Sequence, residues 1–240
     1  MSAKRFIAAD PQGAADACAR HILTLLETAL SGQEFATLAV SGGATPRLLF
    51  DKLAASKCEW NRVQLFFVDE RCVPPTDDAS NYKLVNDHLI RPAGIPSQHI
   101  HRIVGEIKPE AAAEAYTAEI RGYFGIAPGE MPKFDIVHRG MGPDAHTASL
   151  FPGDVLIDDR QGIAAAVFAP QFNQWRVTML PGVLLAAKNT VFLVAGADKA
   201  EAVRGVFHDP YDPKKYPAQI TTHQGGNVTW FLDERAAALV

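Results

Sequence analysis

Apolar residues occur along this chain in two kinds of run. From Gly13 to Leu30 they fall at mainly helical spacing (Ala17, Ile22, Leu25, Leu26, Ala29), and Ser31-Gly32 stops the pattern. Short unbroken apolar stretches then recur, each ending in glycine or charge. Phe35 to Val40 runs into Ser41-Gly42-Gly43, and Val63 to Val68 into Asp69-Glu70-Arg71. Phe134 to Val137 leads to Gly140-Met141-Gly142-Pro143-Asp144, and Val191 to Ala195 to Gly196. Such runs suit strands covered on both faces. Helical stretches separate them: one opened and capped by Thr45-Pro46, one near Asn81–Ile90, and one from Asp198 to Val206. Trp175–Met179 before Pro181 reads as a strand and helix start, and Asn227–Leu232 as a final strand.

Strand–helix alternation predicts an α/β fold: a doubly wound, mostly parallel sheet with helices on both faces. No repeat, linker or low-complexity tract interrupts it, so residues 1–240 read as one domain. Ligands of such sheets gather beyond the carboxyl ends of the strands. The turns richest in glycine and polar side chains stand at those ends.

Composition narrows the partners. Twenty-three Lys and Arg against 27 Asp and Glu leave a net charge of −4, which disfavours nucleic acid and anionic membrane as partners. The amino terminus lacks an apolar signal core, and the longest apolar runs are too short for a bilayer. Cys18, Cys58 and Cys72 are scattered with no C-x-x-C pair, which argues against a disulfide framework or zinc ribbon. A cytoplasmic protein with free thiols is expected.

Four groups of residues carry candidate chemistry. In Ser41-Gly42-Gly43-Ala44-Thr45-Pro46, two glycines allow a tight turn, bare N–H groups and hydroxyls offer donors to an anion, and the next helix presents its positive end. An ordinary strand-to-helix turn uses the same residues, and both readings stay open. The nucleotide pattern G-x-x-x-x-G-K-[ST] is absent. Gly140 to Ala145 matches G-x-G-x-x-A formally, but Pro143 and Asp144 would stand where a pyrophosphate approaches.

A better reading of that turn is that it exposes Asp144 and His146. An imidazole with an unperturbed pKa of ~6.5 can accept and return a proton, and the carboxylate can orient it. Arg71, Arg176 and Lys199 are the cations nearest the strand ends, each otherwise a surface charge. Lys199 in the first turn of a helix opposes the helix dipole, a cost that a bound anion offsets. His99-Ile100-His101 lacks a third metal ligand nearby, and neither H-E-x-x-H nor G-x-S-x-G occurs.

Together these pieces resemble the 6-phosphogluconolactonase family, within the glucosamine-6-phosphate isomerase/deaminase-like fold. The resemblance runs through Ser41–Pro46, Asp69-Glu70-Arg71 with Ser80-Asn81-Tyr82, and Gly140 to Pro152. Arg176-Val177-Thr178, Gly196 with Lys199, and Trp230 to Asp233 continue it in order. It implies hydrolysis of 6-phosphoglucono-δ-lactone to 6-phosphogluconate, in the pentose phosphate pathway, without metal or cofactor. It also implies roles: His146 as general base, with Asp144 beside it, and Arg71 placing substrate or stabilising charge. Ser41, Gly42, Gly43, Thr45, Arg176 and Lys199 would hold the phosphate.

Two departures stand out. Ala145 replaces the glycine usual before the histidine, and His138-Arg139 replaces an aliphatic pair. Alternatives are an aminosugar-phosphate isomerase or deaminase, disfavoured because Thr147 to Gly153 holds no acid, and a sugar-phosphate-binding module without catalysis.

Overall fold

A computed structural model of the chain describes residues 3–240. The chain runs through β1 (Lys4–Ala8), α1 (Pro11–Leu30), β2 (Ala36–Val40) and α2 (Ala44–Ala54). It continues through β3 (Val63–Phe67), β4 (Asp69–Arg71), α3 (Asn81–Val85), a π-helical turn at Asn86–Ile90 and the single turn α4 (Arg91–Ala93). β5 (Ile100–His101), α5 (Pro109–Phe124) and β6 (Ile136–Arg139) lead to a hairpin of β7 (Ala164–Ala169) and β8 (Gln174–Met179). Last come α6 (Pro181–Ala186), β9 (Asn189–Val194), α7 (Ala200–His208), α8 (Gln219–Gln224) and β10 (Asn227–Asp233).

Seven strands form one sheet in the order β1-β10-β9-β6-β2-β3-β5, every pair parallel. Helices cover both faces, as the apolar runs imply. Alternate residues of one strand serve opposite cores, because side chains on a strand point to opposite faces. On β9, Val191 and Leu193 join the larger core that contains α1, whereas Phe192 and Val194 join a second core with Val203 and Val206 of α7. β10 divides likewise: Phe231 faces the first core and Trp230 the second, where its ring stacks on Phe192 at 3.9 Å.

The antiparallel pairing lies in a separate three-stranded sheet, β4-β8-β7. Val68 is the crossing point between the sheets: its N–H donates to Val40 O at 2.9 Å, and its carbonyl accepts from Met179 N–H at 2.8 Å. Asp69-Glu70-Arg71, expected as a polar strand end, therefore forms a strand of its own. The helix expected over Asn81–Ile90 is α only to Val85 before the π-helical turn, and the helix expected from Asp198 starts at Ala200 after a 3₁₀ turn, Ala197–Lys199. Among the described residues, no helix is long and apolar enough to cross a membrane.

Candidate active site

Beyond β6 the chain closes a small loop on itself. Gly142 N–H donates to His146 O at 2.9 Å, and Ala145 N–H to Gly142 O at 3.0 Å. Closing it puts Ala145 at φ 64°, the left-handed region, at a cost of about 1–2 kcal/mol for a residue with a Cβ. The alanine methyl is fully buried in the second core, and the Ala145 carbonyl accepts from Ala218 N–H at 3.1 Å. The position that the family resemblance gives to glycine thus does require positive φ, and packing holds alanine there.

His146 Nδ1 lies 2.5 Å from Asp144 Oδ1. Burial works against the Asp144 charge, but the hydrogen bond and attraction from His146 outweigh it and hold the carboxyl below its ordinary range. With Nδ1–H donating to that carboxylate, the Nε2 lone pair is the one left to take a proton. The ring sits over Gly142, where a Cβ would come within 2.1 Å of Nδ1 and Cε1.

Glu70, on β4, is buried. Its carboxylate accepts from the N–H groups of Arg71, Asn81 and Tyr82 and from Ser80 Oγ, tying the 80–82 segment to β4. Burial pushes its carboxyl up, and those hydrogen bonds oppose the shift without cancelling it. The fastened loop presents Asn81, whose amide donates to Asp69 O and whose Oδ1 accepts from Arg71 Nη1, each at 2.8 Å. Asn81 also explains Gly42: a Cβ there would lie 2.1 Å from Asn81 Oδ1.

In the β4–β8 register, Arg71 stands directly opposite Arg176. Arg176 is 6% exposed, and the one hydrogen bond of its guanidinium among the described residues, Nη1 to Ser149 Oγ, is long at 3.5 Å. Burial lowers the guanidinium pKa; Asp69 opposes that and Arg71 adds to it.

α2 starts at Ala44 with Gly43 (φ 125°) at the cap position and no side-chain cap, so Thr45 lies in the first turn rather than capping it. Helix starts leave their first N–H groups without internal partners. Here no side chain among the described residues caps them, and Ser41, Gly42, Gly43 and Thr45 all line the cleft. Ser41 Oγ is buried with no partner among the described residues. Lys199 occupies the cap position before α7, not its first turn, and Asp198 at 2.9 Å already offsets its charge there. Buried Asp233 Oδ1 accepts from Gly196 N–H at 3.0 Å and so fixes the turn that carries Lys199.

One cleft of about 730 Å³ gathers Ser41, Gly42, Gly43, Thr45, Arg71, His146, Arg176 and Lys199. Asp144 reaches it through His146. Sequence reading did not give roles to Asp69, Asn81, Gly142 or Phe172, which also line it. Of these, Asp69, Asn81 and Gly142 stood inside the motifs, but only their contacts give them a task. Arg139 does not reach the cleft: it is 1% exposed, bonded to Thr221 Oγ1 and stacked 4.6 Å from the Phe192 ring. His101 uses Nδ1 on Glu119 and Nε2 on Gln64, so this histidine is bound within the fold.

Two glycine substitutions test this geometry. Gly142→Ala should push the imidazole aside and lower kcat/KM by about 10²-fold, the usual cost of misplacing a reacting group by an ångström. Gly122→Ala, on an exposed helical position with nothing within 4 Å of its Cβ, should leave kcat/KM at the parent value. Equal rates in both variants would mean that Gly142 does not seat the ring.

A family model described as glucosamine-6-phosphate isomerases/6-phosphogluconolactonase matches residues 9–230. The 6-phosphogluconolactonase of Nostoc sp. is 36% identical over 218 residues, covering 90% of each chain. That of Treponema pallidum is 36% identical over 229 residues, 94% of this chain and 90% of the relative. The solved 6-phosphogluconolactonase of Trypanosoma brucei superposes with a TM-score of 0.88 at 28% identity, covering 98% of each chain.

Proposed function

The chain belongs to the glucosamine-6-phosphate isomerase/6-phosphogluconolactonase family and acts as a 6-phosphogluconolactonase, and we propose that His146 is the base of its hydrolysis. The substrate is 6-phospho-D-glucono-1,5-lactone, an ester of the pentose phosphate pathway. In this reading, water attacks the lactone carbonyl carbon as His146 Nε2 takes one of its protons. The tetrahedral oxyanion collapses, the bond to the ring oxygen breaks, and the imidazolium returns the proton to that oxygen. The product acid then ionises to 6-phosphogluconate. Asp144 fixes the ring, while Arg71, held by Asn81, offers a cation to the developing negative charge.

The phosphate end is assigned to Ser41, Gly42, Gly43, Thr45, Arg176 and Lys199. The observation that carries the reading is the side-chain-uncapped start of α2 opening onto the same cleft as the imidazole held by Asp144. One end of that cleft suits a dianion and the other a proton transfer. Hydrolysis is favoured over isomerisation or deamination because Asp154, the first acid after His146, caps its own turn through Leu156 N–H at 2.8 Å and lies outside the cleft lining. A cytoplasmic setting fits the free thiols of Cys18, Cys58 and Cys72.

Acid release from fresh lactone, followed above the spontaneous rate, tests the reading. Folded protein with no excess rate would leave a sugar-phosphate binder without catalysis. Lys199→Ala should weaken competition by inorganic phosphate about fivefold to tenfold, the size of one charge-assisted contact. Unaltered competition would remove Lys199 from the phosphate site.

A further inference from the structure

We propose that Phe172, at the tip of the β7–β8 hairpin, is a positioning residue that holds the Arg176 guanidinium in the cleft and thereby sets affinity for the phosphorylated end of the substrate. This rests on Arg176 being a phosphate ligand, as assigned above.

The hydrogen bonds of Arg176 do not fix its direction. Nη1 reaches Ser149 only at 3.5 Å, and Nε is buried with no partner among the described residues. Arg71, opposite it in register, repels it. Two adjacent aromatic rings meet the guanidinium instead: its central carbon lies 4.7 Å from the Phe172 centroid and 5.5 Å from that of Phe151. Those rings are 6.1 Å apart, and Phe151 also touches the His146 ring at 4.8 Å. Phe151 is thus a common support for the base and the arginine, and Phe172 sets a second aromatic face beside it, so that the two rings form a corner against the guanidinium.

Burial does not explain Phe172. It is 52% exposed on a turn that ends with Asn173 at φ 46°, yet it lines the cleft. An aromatic face over a desolvated cation supplies the attraction that the missing hydrogen bonds do not.

The test combines steady-state kinetics on the lactone with calorimetric binding of inorganic phosphate. Phe172→Ala and Phe172→Leu should each raise KM and the phosphate Kd about threefold to tenfold, with the smaller part of the loss in kcat. Phe172→Tyr, which keeps the aromatic face, should stay within about twofold of the parent. In an Arg176→Ala background, Phe172→Ala should add less than about twofold, because the two act as one unit. Any of three results overturns the proposal: an unaltered phosphate Kd in Phe172→Ala, rescue by leucine equal to that by tyrosine, or a full additional loss without Arg176. Failure of the hydrolysis reading shows separately, as a parent enzyme that does not accelerate lactone opening while phosphate binding still reports the contact between Phe172 and Arg176.

Discussion

His146→Ala should lower kcat on the lactone by about 10²–10⁴, the usual contribution of a positioned general base. The loss should fall on kcat far more than on KM. Removing the ring leaves the start of α2, Lys199 and Arg176 in the cleft, so the proposed phosphate site is untouched. An interaction made only as the proton moves is felt in kcat rather than in ground-state binding. Asp144→Asn should cost less, since the ring remains but its Nδ1 faces an amide in place of the carboxylate at 2.5 Å. Spontaneous opening of the lactone sets the floor and must be subtracted. If His146→Ala turns over at the parent rate, the base lies elsewhere.

The second large effect concerns stability in acid. His138 is fully buried, neither ring nitrogen has a partner among the described residues, and the Phe50 ring packs edge-on at 6.2 Å. Burial, with Arg139 adding to it, drops the imidazole pKa from 6.5 to about 3. Between those values the unfolded chain binds a proton that the native state refuses. Stability is therefore full above the unfolded pKa and falls as pH drops from about 6.5 toward 3. The span corresponds to about 3–5 kcal/mol, a large part of the 5–15 kcal/mol typical of a folded domain. Urea unfolding at pH 7 and pH 4.5 reads the first two units of it, about 3 kcal/mol. His138→Leu should flatten the dependence and also remove an unsatisfied buried donor. Parallel curves for parent and variant would show that another group governs the acid limb.

Much of the sheet is legible in the sequence because its central strands are apolar on both faces. β2, β3, β6 and β9 each appear as a short greasy run ended by glycine or charge. β1 is harder to read: it is an edge strand, largely exposed, with Phe6 and Ile7 as its only bulky apolar residues. β4 is illegible for a different reason. Asp69-Glu70-Arg71 carries no strand pattern, and its pairing with β8 joins segments about a hundred residues apart. That pairing brings Arg71 to Arg176, so sequence could nominate both arginines but not set them face to face. His146 and Asp144 are readable because they are neighbours along the chain. Gly142 and Asn81 acquire meaning only from the side chains that fill the space beside them. The cap expected of Thr45 fails because the positive-φ turn at Gly43 starts the helix two residues earlier.

The paired guanidinium groups of β4 and β8 also bear on how the empty enzyme should respond to heat. Like charges facing each other across a strand pair weaken it, and here one of the two is almost dry. A dianion held by Arg176, as proposed above, would offset that repulsion and add its own binding energy to the folded state alone. Melting temperature should therefore climb with phosphate concentration, and preparations dialysed free of it should be the most fragile. A simple thermal shift thus becomes an occupancy gauge that works on catalytically dead variants and needs no unstable lactone.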